Sequence, residues 1–327
     1  MRVLVLGAGG KRRSEMAIVR AVRSLDHHCR FIDATGWCRR LGPLAPPLVR
    51  RLGEAFRPDA VILTRQARCL GEETIRGMTE GRIGGLWYFD LSVPPSGEVV
   101  RLARAVGRIF VTCRSQLDAY RLAGVPEVHY LPQGVDPFMD RPARKAPEEY
   151  RCDVSFVGSG QYADRHELLR RMAGVGALQV RGPGWENAPP EIPVAGGPVH
   201  GAAFARVVLG AAISLGIHAT RAQDTQFACT SNRMWKVMGC SGFFLGAWQP
   251  GLDHFALDGE HCAWYRSIDE AVELAALYLA DPDLRARIAA AGRDHALAYH
   301  TYAHRIPLLL AGQGYPLETV GHPQTIL

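Results

Sequence analysis

Short apolar runs alternate with amphipathic stretches along the chain, and the alternation breaks only once. In the first part the runs 2–6, 29–33, 60–64, 85–89, 108–112 and 128–131 predict buried strands. Helical periodicity fills the gaps over 14–25, 45–56, 71–78, 97–106 and 115–123. Such alternation predicts a parallel sheet with helices on both faces, a doubly wound α/β domain. The break is polar: Pro137, Pro142 and Pro147 stand among Asp140, Arg141, Arg144, Lys145, Glu148 and Glu149, and 136–149 can continue neither a helix nor a central strand. It is expected to be an exposed linker. Alternation then restarts, with strands at 153–157, 177–181, 212–217, 242–247 and 262–265 and helices at 164–173, 200–210 and 231–239.

Two further helices close this second doubly wound domain. Ser267-Ile268-Asp269-Glu270 is a capping box, and Asp281-Pro282 pairs an N-cap with a proline at the first helical position. Residues 307–327 hold proline and glycine without a clear period and are expected to pack across the first domain or to fray. The expected organisation is a first Rossmann-like domain at 1–136, a linker at 137–151, a second Rossmann-like domain at 152–305 and a tail at 306–327.

Composition narrows the class. With 327 residues, 47% hydrophobic and 21% charged, the chain fits two ordinary cores and excludes a disordered or collagen-like protein. The longest apolar run, 207–217, is broken by Gly210 and Gly216 and is too short for a membrane helix. Met1 and Arg2 lead directly into Val3-Leu4-Val5-Leu6, which reads as a buried strand rather than a signal peptide, so the cytoplasm is the expected compartment. The eight cysteines are scattered with no Cys-x-x-Cys or zinc spacing, which fits reduced thiols and no bound metal. A formal charge of +6 rests largely on arginine, much of it in the first half, and implies an anionic partner. These arginines lack aromatic interleaving or a nucleic-acid motif, which favours phosphorylated small molecules or an anionic membrane surface over DNA or RNA.

Three places carry candidate chemistry. The turn Gly7-Ala8-Gly9-Gly10-Lys11-Arg12 lies between a strand and a helix, with Asp33 ending the next strand. A dinucleotide site has this look, but its fingerprint wants glycine where Arg12 stands. A turn serving backbone geometry or an acceptor is the other reading. The second domain opens alike, with 153–157 followed by Gly158-Ser159-Gly160 and, at a helix start, Arg165. Small residues let a ligand approach the backbone there, and Arg165 suits a phosphate; a plain strand-to-helix turn is the alternative. Third, Thr230-Ser231-Asn232-Arg233-Met234-Trp235-Lys236 places hydroxyl, amide and two cations at a helix start, with 233 and 236 on one face.

Here the sequence resembles a family. The stretches 153–169 and 233–304 are similar to the glycosyltransferase group that contains the spore-maturation CgeB-like proteins, relatives of the large retaining GT-B families. Leu131-Pro132-Gln133-Gly134-Val135-Asp136-Pro137 resembles the group's "P-x-G-V-D" turn, and Asp153-Val154-Ser155-Phe156-Val157-Gly158 its second-domain opening strand. Arg233-Met234-Trp235-Lys236-Val237-Met238-Gly239-Cys240-Ser241-Gly242 resembles "R-x-F-E-A-x-A-C-G-G". Pro250-Gly251-Leu252 and His300-Thr301-Tyr302-Ala303-His304-Arg305 resemble a later loop and an "H-T-Y-x-x-R" ending. The match covers most of the second half and is weak in the first.

The resemblance implies GT-B architecture, two Rossmann-like domains facing each other across a cleft. The second would bind a nucleotide-sugar donor and the first the acceptor, of unknown kind, whose hydroxyl or amine receives the sugar. Arg165, Arg233 and Lys236 become diphosphate clamps, with Gly158, Ser159, Gly160, Thr230, Ser231 and Asn232 as the floor and His218 either facing the cleft or structural. Gly7, Gly9, Gly10 and Lys11 fall to the acceptor side. No cofactor or metal is implied, since cationic side chains and a helix dipole stabilise the leaving diphosphate. Related families carry a Glu-x7-Glu pair whose second Glu contacts the donor; Ala228 and Lys236 stand in those places, leaving open a shift of Lys236 to phosphate, a different donor pose, or lost activity. Asp90, after the strand ending at Phe89, is the expected acid/base group if its neighbours desolvate it; capping the next turn is the other reading. Rival classes are an NAD(P)-dependent oxidoreductase using the first glycine turn and a non-catalytic nucleotide-sugar or glycan binder.

Overall fold

The computed structural model describes residues 1–11, 13–92, 94–218 and 229–316. Arg12, Ala228 and the tail beyond 316 lie outside the described residues. The described chain forms two compact units, one running to Gln133 and resumed at Tyr302, the other from Gly134 to Thr301.

In the first unit the strands are β1 (Arg2–Gly7), β2 (His28–Asp33), β3 (Ala60–Leu63), β4 (Ile83–Tyr88), β5 (Arg108–Val111) and β6 (Glu127–Tyr130). They form one parallel sheet in the order β2-β1-β3-β4-β5-β6. The helices are α1 (Ser14–Ser24), α2 (Ala34–Leu41), α3 (Ala45–Phe56), α4 (Glu72–Thr79), α5 (Gly97–Val106) and α6 (Leu117–Leu122). Alternation within β1 sorts its side chains: Val3 and Val5 join Ile18, Val22 and Ile62 on one face, while Leu4 and Leu6 join Val61, Leu63 and Leu86 on the other. With both faces covered, β1 reads as a continuous apolar run.

The second unit has β7 (Cys152–Val157), α7 (Asp164–Met172), β8 (Leu178–Arg181), β9 (Val194–Gly196), α8 (Ala202–Gly210), β10 (Ala211–Gly216), α9 (Asn232–Gly239), β11 (Phe244–Ala247), β12 (Ala263–Tyr265), α10 (Ile268–Ala280) and α11 (Pro282–Tyr299). Its parallel sheet runs β12-β11-β10-β7-β8-β9. The chain reverses its direction of winding between β7 and β10, and crevices for ligands form at the carboxyl ends of strands at such a point. Both helix-start signals are realised: Ser267 accepts from the Glu270 amide at 3.1 Å and Asp281 from the Leu284 amide at 2.8 Å.

Two expectations need correction. The expected linker is not exposed throughout: Asp136 and Asp140 are buried, the Asp136 amide donates to Asp140 Oδ2 at 3.0 Å, and a Cβ on Gly239 of α9 would stand 2.8 Å from the Asp140 carbonyl. Pro137 and Phe138 are exposed between these two aspartates, and the chain is exposed again from Arg141. The expected tail is in part a helix, α12 (Tyr302–Leu310), which continues through Pro307 and returns to the first unit. Tyr302, Ile306 and Leu309 join Ile18, Val22 and Trp87 in one core, and the Tyr302 hydroxyl accepts from Gln133 Nε2 at 2.8 Å.

Candidate functional site

At the β7/β10 reversal the second unit gathers two arginines. Arg233, in the first turn of α9, donates through Nε to the Val157 carbonyl at 2.6 Å and through Nη1 to the Ile217 carbonyl at 3.1 Å. One guanidinium thus ties the ends of both strands. Arg165, near the start of α7, is buried and donates to the Ser159 carbonyl. Both guanidinium groups lie over the Phe156 ring, at 5.4 Å for Arg165 and 4.5 Å for Arg233, and Arg165 also lies 4.6 Å from the Tyr162 ring. Burial and then the neighbouring Arg165 charge pull Arg233 down to about 9, with Tyr265 opposing. Among the described residues no carboxylate forms an ion pair with Arg233.

The floor is built to close tolerance. A Cβ on Gly158 would stand 2.5 Å from Arg233 Nη2 and 2.7 Å from the Phe156 ring, so only glycine leaves the guanidinium its place. A Cβ on Gly160 would stand 2.4 Å from both the Gly184 carbonyl and the Trp185 ring. The Gly158 carbonyl accepts from Trp185 Nε1 at 2.9 Å, and the Gly160 carbonyl from His166 Nε2 at 3.0 Å. Ser231 caps α9 by accepting from the Met234 amide at 3.2 Å. Thr230 is buried, and its hydroxyl has no hydrogen-bond partner among the described residues. Asn232 is half-buried.

His218 sits beside this group. Its Nε2 donates to the Ala247 carbonyl at 3.1 Å, and with Ile217, Cys229, Ser231, Met234 and Trp264 it lines a cavity of about 10 Å³. Burial, aided by the charges of Arg233 and Arg165, lowers it to about 4 despite that hydrogen bond, so the ring is neutral at pH 7. The structure therefore brings together Gly158, Ser159, Gly160, Arg165, His218, Thr230, Ser231, Asn232 and Arg233. Lys236 is half-buried one turn along α9, and its charge acts on Cys240 rather than on Arg233.

Sequence reasoning overlooked Phe156 as the shared support, Trp185 as the clasp on the glycine loop, and Tyr265, whose hydroxyl donates to the Gly216 carbonyl at 2.9 Å. The run Gly182-Pro183-Gly184-Trp185 directly after β8 was the available signal. Gly182 has φ +146° and approaches Gly158 so closely that a Cβ would lie 2.0 Å from its carbonyl oxygen.

In the first unit the glycine turn is already filled by its own carboxylates. The Ala8 amide donates to Glu15 at 3.2 Å and the Gly9 amide to Asp33 at 2.8 Å. Buried Glu15 also accepts from the Thr64 hydroxyl at 2.8 Å, and Asp33 caps α2 through the Gly36 amide at 2.9 Å. Gly7 and Gly9 are required by contact: a Cβ would stand 2.6 Å from Glu15 and 2.4 Å from Asp33, respectively. Gly10 and Lys11 are exposed. A dinucleotide needs these amides for pyrophosphate and the second-strand carboxylate for ribose, and both are engaged, so the oxidoreductase alternative is not favoured. Asp90 differs from its expected setting too: its side chain is 52% exposed and pairs with Arg65 at 2.9 Å, so the apolar neighbours do not desolvate it.

The fold, two doubly wound parallel sheets, is that of the GT-B glycosyltransferases. Residues 164–311, a little under half of the chain, match the family model described as glycosyl transferase-like. The structure is similar to HepE of Anabaena in complex with UDP and glucose, with a TM-score of 0.64 at 13% identity over 95% of this chain and 99% of that one. It is also similar to sucrose-phosphate synthase of Thermosynechococcus elongatus, with a TM-score of 0.59 at 12% identity over 94% and 98%. The T4 phage enzyme BGT in complex with UDP-glucose gives a TM-score of 0.59 at 12% identity over 95% and 98%. Among curated protein sequences none matches.

Proposed function

We propose that the second unit holds the diphosphate of a nucleotide-sugar donor through Arg165 and Arg233, for transfer of the sugar to an acceptor hydroxyl or amine. The observation that carries this is two guanidinium groups crowded on one phenyl ring, Arg233 lowered by burial and by Arg165, at the point where doubly wound sheets bind ligands. An anion between them relieves the repulsion and strengthens both. Thr230, Ser231 and Asn232 at the start of α9 add hydroxyl and amide groups, and the helix dipole has the same sign. In transfer the bond from the sugar carbon to the diphosphate oxygen breaks as the bond to the acceptor forms. The arginines take up the charge gained by the leaving group without a metal ion. The acceptor proton goes to Asp90 or to the leaving phosphate, and the reaction takes place in the cytoplasm.

Known structures of HepE hold UDP and UDP-glucose, which makes UDP the first ligand to test. Thermal-shift titration with UDP, GDP, dTDP and NAD(P) checks the reading: one nucleoside diphosphate should raise the melting temperature, and its sugar conjugate should be turned over. Stabilisation by NAD(P) alone would overturn it. Diphosphate binding without donor turnover would leave a binding protein on this fold.

A further inference from the structure

Exposed arginines in this protein are commonly paired: Arg50 with Glu54, Arg68 with Glu98, Arg101 with Glu72 and Arg266 with Glu270. Four cations of the second unit depart from this. Arg141, Arg144, Lys145 and Arg206 form no ion pair with a carboxylate within 4.0 Å among the described residues. They come from two neighbouring elements, the exposed segment after Asp140 and helix α8. They line two open grooves of about 420 and 700 Å³ that share Arg144 and Lys145. The larger groove reaches Cys152 and Ala211, the amino ends of β7 and β10, and so lies at the opposite end of the sheet from Arg165 and Arg233.

Apolar side chains stand among these charges. Phe138 is 62% exposed, with the Arg141 guanidinium 5.7 Å from its ring, and Leu209 is 46% exposed. The nearby carboxylates do not neutralise the cations: Glu148 pairs with Arg151, and Asp153 takes the Ala177 amide at 2.7 Å. A small phosphorylated ligand would use the cations and leave Phe138 and Leu209 in water. A bilayer with anionic headgroups uses both, since phosphates meet the cations and the interface accepts an aromatic and an aliphatic side chain.

We infer that this face of the second unit docks on an anionic lipid surface. The docking is separate from the donor site and does not depend on the nucleotide reading. It belongs to the linker and α8, not to the arginine-rich first half that the sequence brings forward.

Co-sedimentation of the full chain with vesicles tests this, comparing phosphatidylcholine alone with phosphatidylcholine mixed with phosphatidylserine. The mixed vesicles should sediment the protein and the neutral ones should not, with binding falling as salt rises. Replacing Arg144 and Lys145 with Glu should weaken binding by at least about fivefold for each basic residue lost. Phe138→Ser should weaken vesicle binding while leaving retention on inorganic polyphosphate unchanged. The circular dichroism spectrum and the melting temperature should match those of the parent protein in both variants and serve as the folding control. Equal binding to both vesicle types, or unchanged binding by the charge-reversed variant, would overturn the proposal. So would retention on polyphosphate with none on anionic vesicles, which would make the face a soluble-polyanion site.

Discussion

Arg165 and Arg233 share one support, the phenyl ring of Phe156, although they come from different helices and lie 68 positions apart in the chain. Two like charges on one ring raise each other's energy, and the protein offsets this with backbone carbonyls at Ser159, Val157 and Ile217. On the proposed reading an anion held between them would meet groups already in place, and electrostatic preorganisation of that kind stabilises charge that develops during reaction.

Replacing Arg233 with Ala should lower nucleoside-diphosphate affinity by about ten- to a hundredfold, as for loss of roughly 1.5 to 3 kcal/mol in charge-assisted hydrogen bonds. Isothermal titration with the diphosphate measures it, with circular dichroism confirming that the variant is folded. Affinity equal to that of the parent protein removes Arg233 from the donor site.

Gly158 provides a second, independent test, because it touches the site through space alone. A methyl group at this position meets Arg233 Nη2 at 2.5 Å and the Phe156 ring at 2.7 Å. Gly158→Ala should therefore displace the guanidinium, weaken diphosphate binding and cost about 1 to 3 kcal/mol of stability from overpacking. If titration and thermal melting are both unaffected, the glycine is not holding the arginine in place.

Much of this fold was legible because central strands such as β1, β3, β4 and β5 are buried apolar runs separated by amphipathic helices, a strong local pattern. What escaped lacked that pattern. β9 is three mostly exposed residues, and α2 carries Thr35 and Gly36 in its first turn, where propensity argues against a helix. The Asp33 carboxylate supplies the missing start by accepting from the Gly36 amide. Pro307 obscured α12, whose stability comes from tertiary burial of Tyr302, Ile306 and Leu309 rather than from local preference. In the site, cations and small residues could be read from their spacing, but Phe156 and Trp185 look like core residues until the fold places them under the arginines and the glycine loop.

His218 gives the site a pH signature. Its folded-state value of about 4 lies below the ordinary 6.5, so between these values the unfolded chain binds more protons than the folded one. The stability associated with the neutral, buried ring is present above pH 6.5 and falls away as the pH drops toward 4. His218→Gln keeps an N–H for the Ala247 carbonyl and cannot titrate, so its stability should decline less steeply over this interval. Denaturant unfolding at several pH values provides the comparison; parallel curves for parent and variant would show that another group sets the slope.

Asp90 separates two routes for the acceptor proton. Its carboxylate is half exposed and paired with Arg65 at 2.9 Å, an arrangement worth about 0 to 1 kcal/mol, so Asp90→Asn should hardly change the melting temperature. The substitution keeps size and removes the carboxylate that would accept a proton. If Asp90 is the base, turnover should fall by about a hundred- to ten-thousandfold while diphosphate affinity in the second unit is preserved. This split between turnover and affinity distinguishes a base from a residue that only pairs with Arg65. Arg65→Ala removes the same ion pair but leaves the carboxylate, so a purely structural pair predicts matching kinetics for both variants. A base predicts that the Asp90 variant alone loses turnover. Normal turnover in Asp90→Asn would assign the acceptor proton to the leaving phosphate, which the proposed reading places beside Arg165 and Arg233.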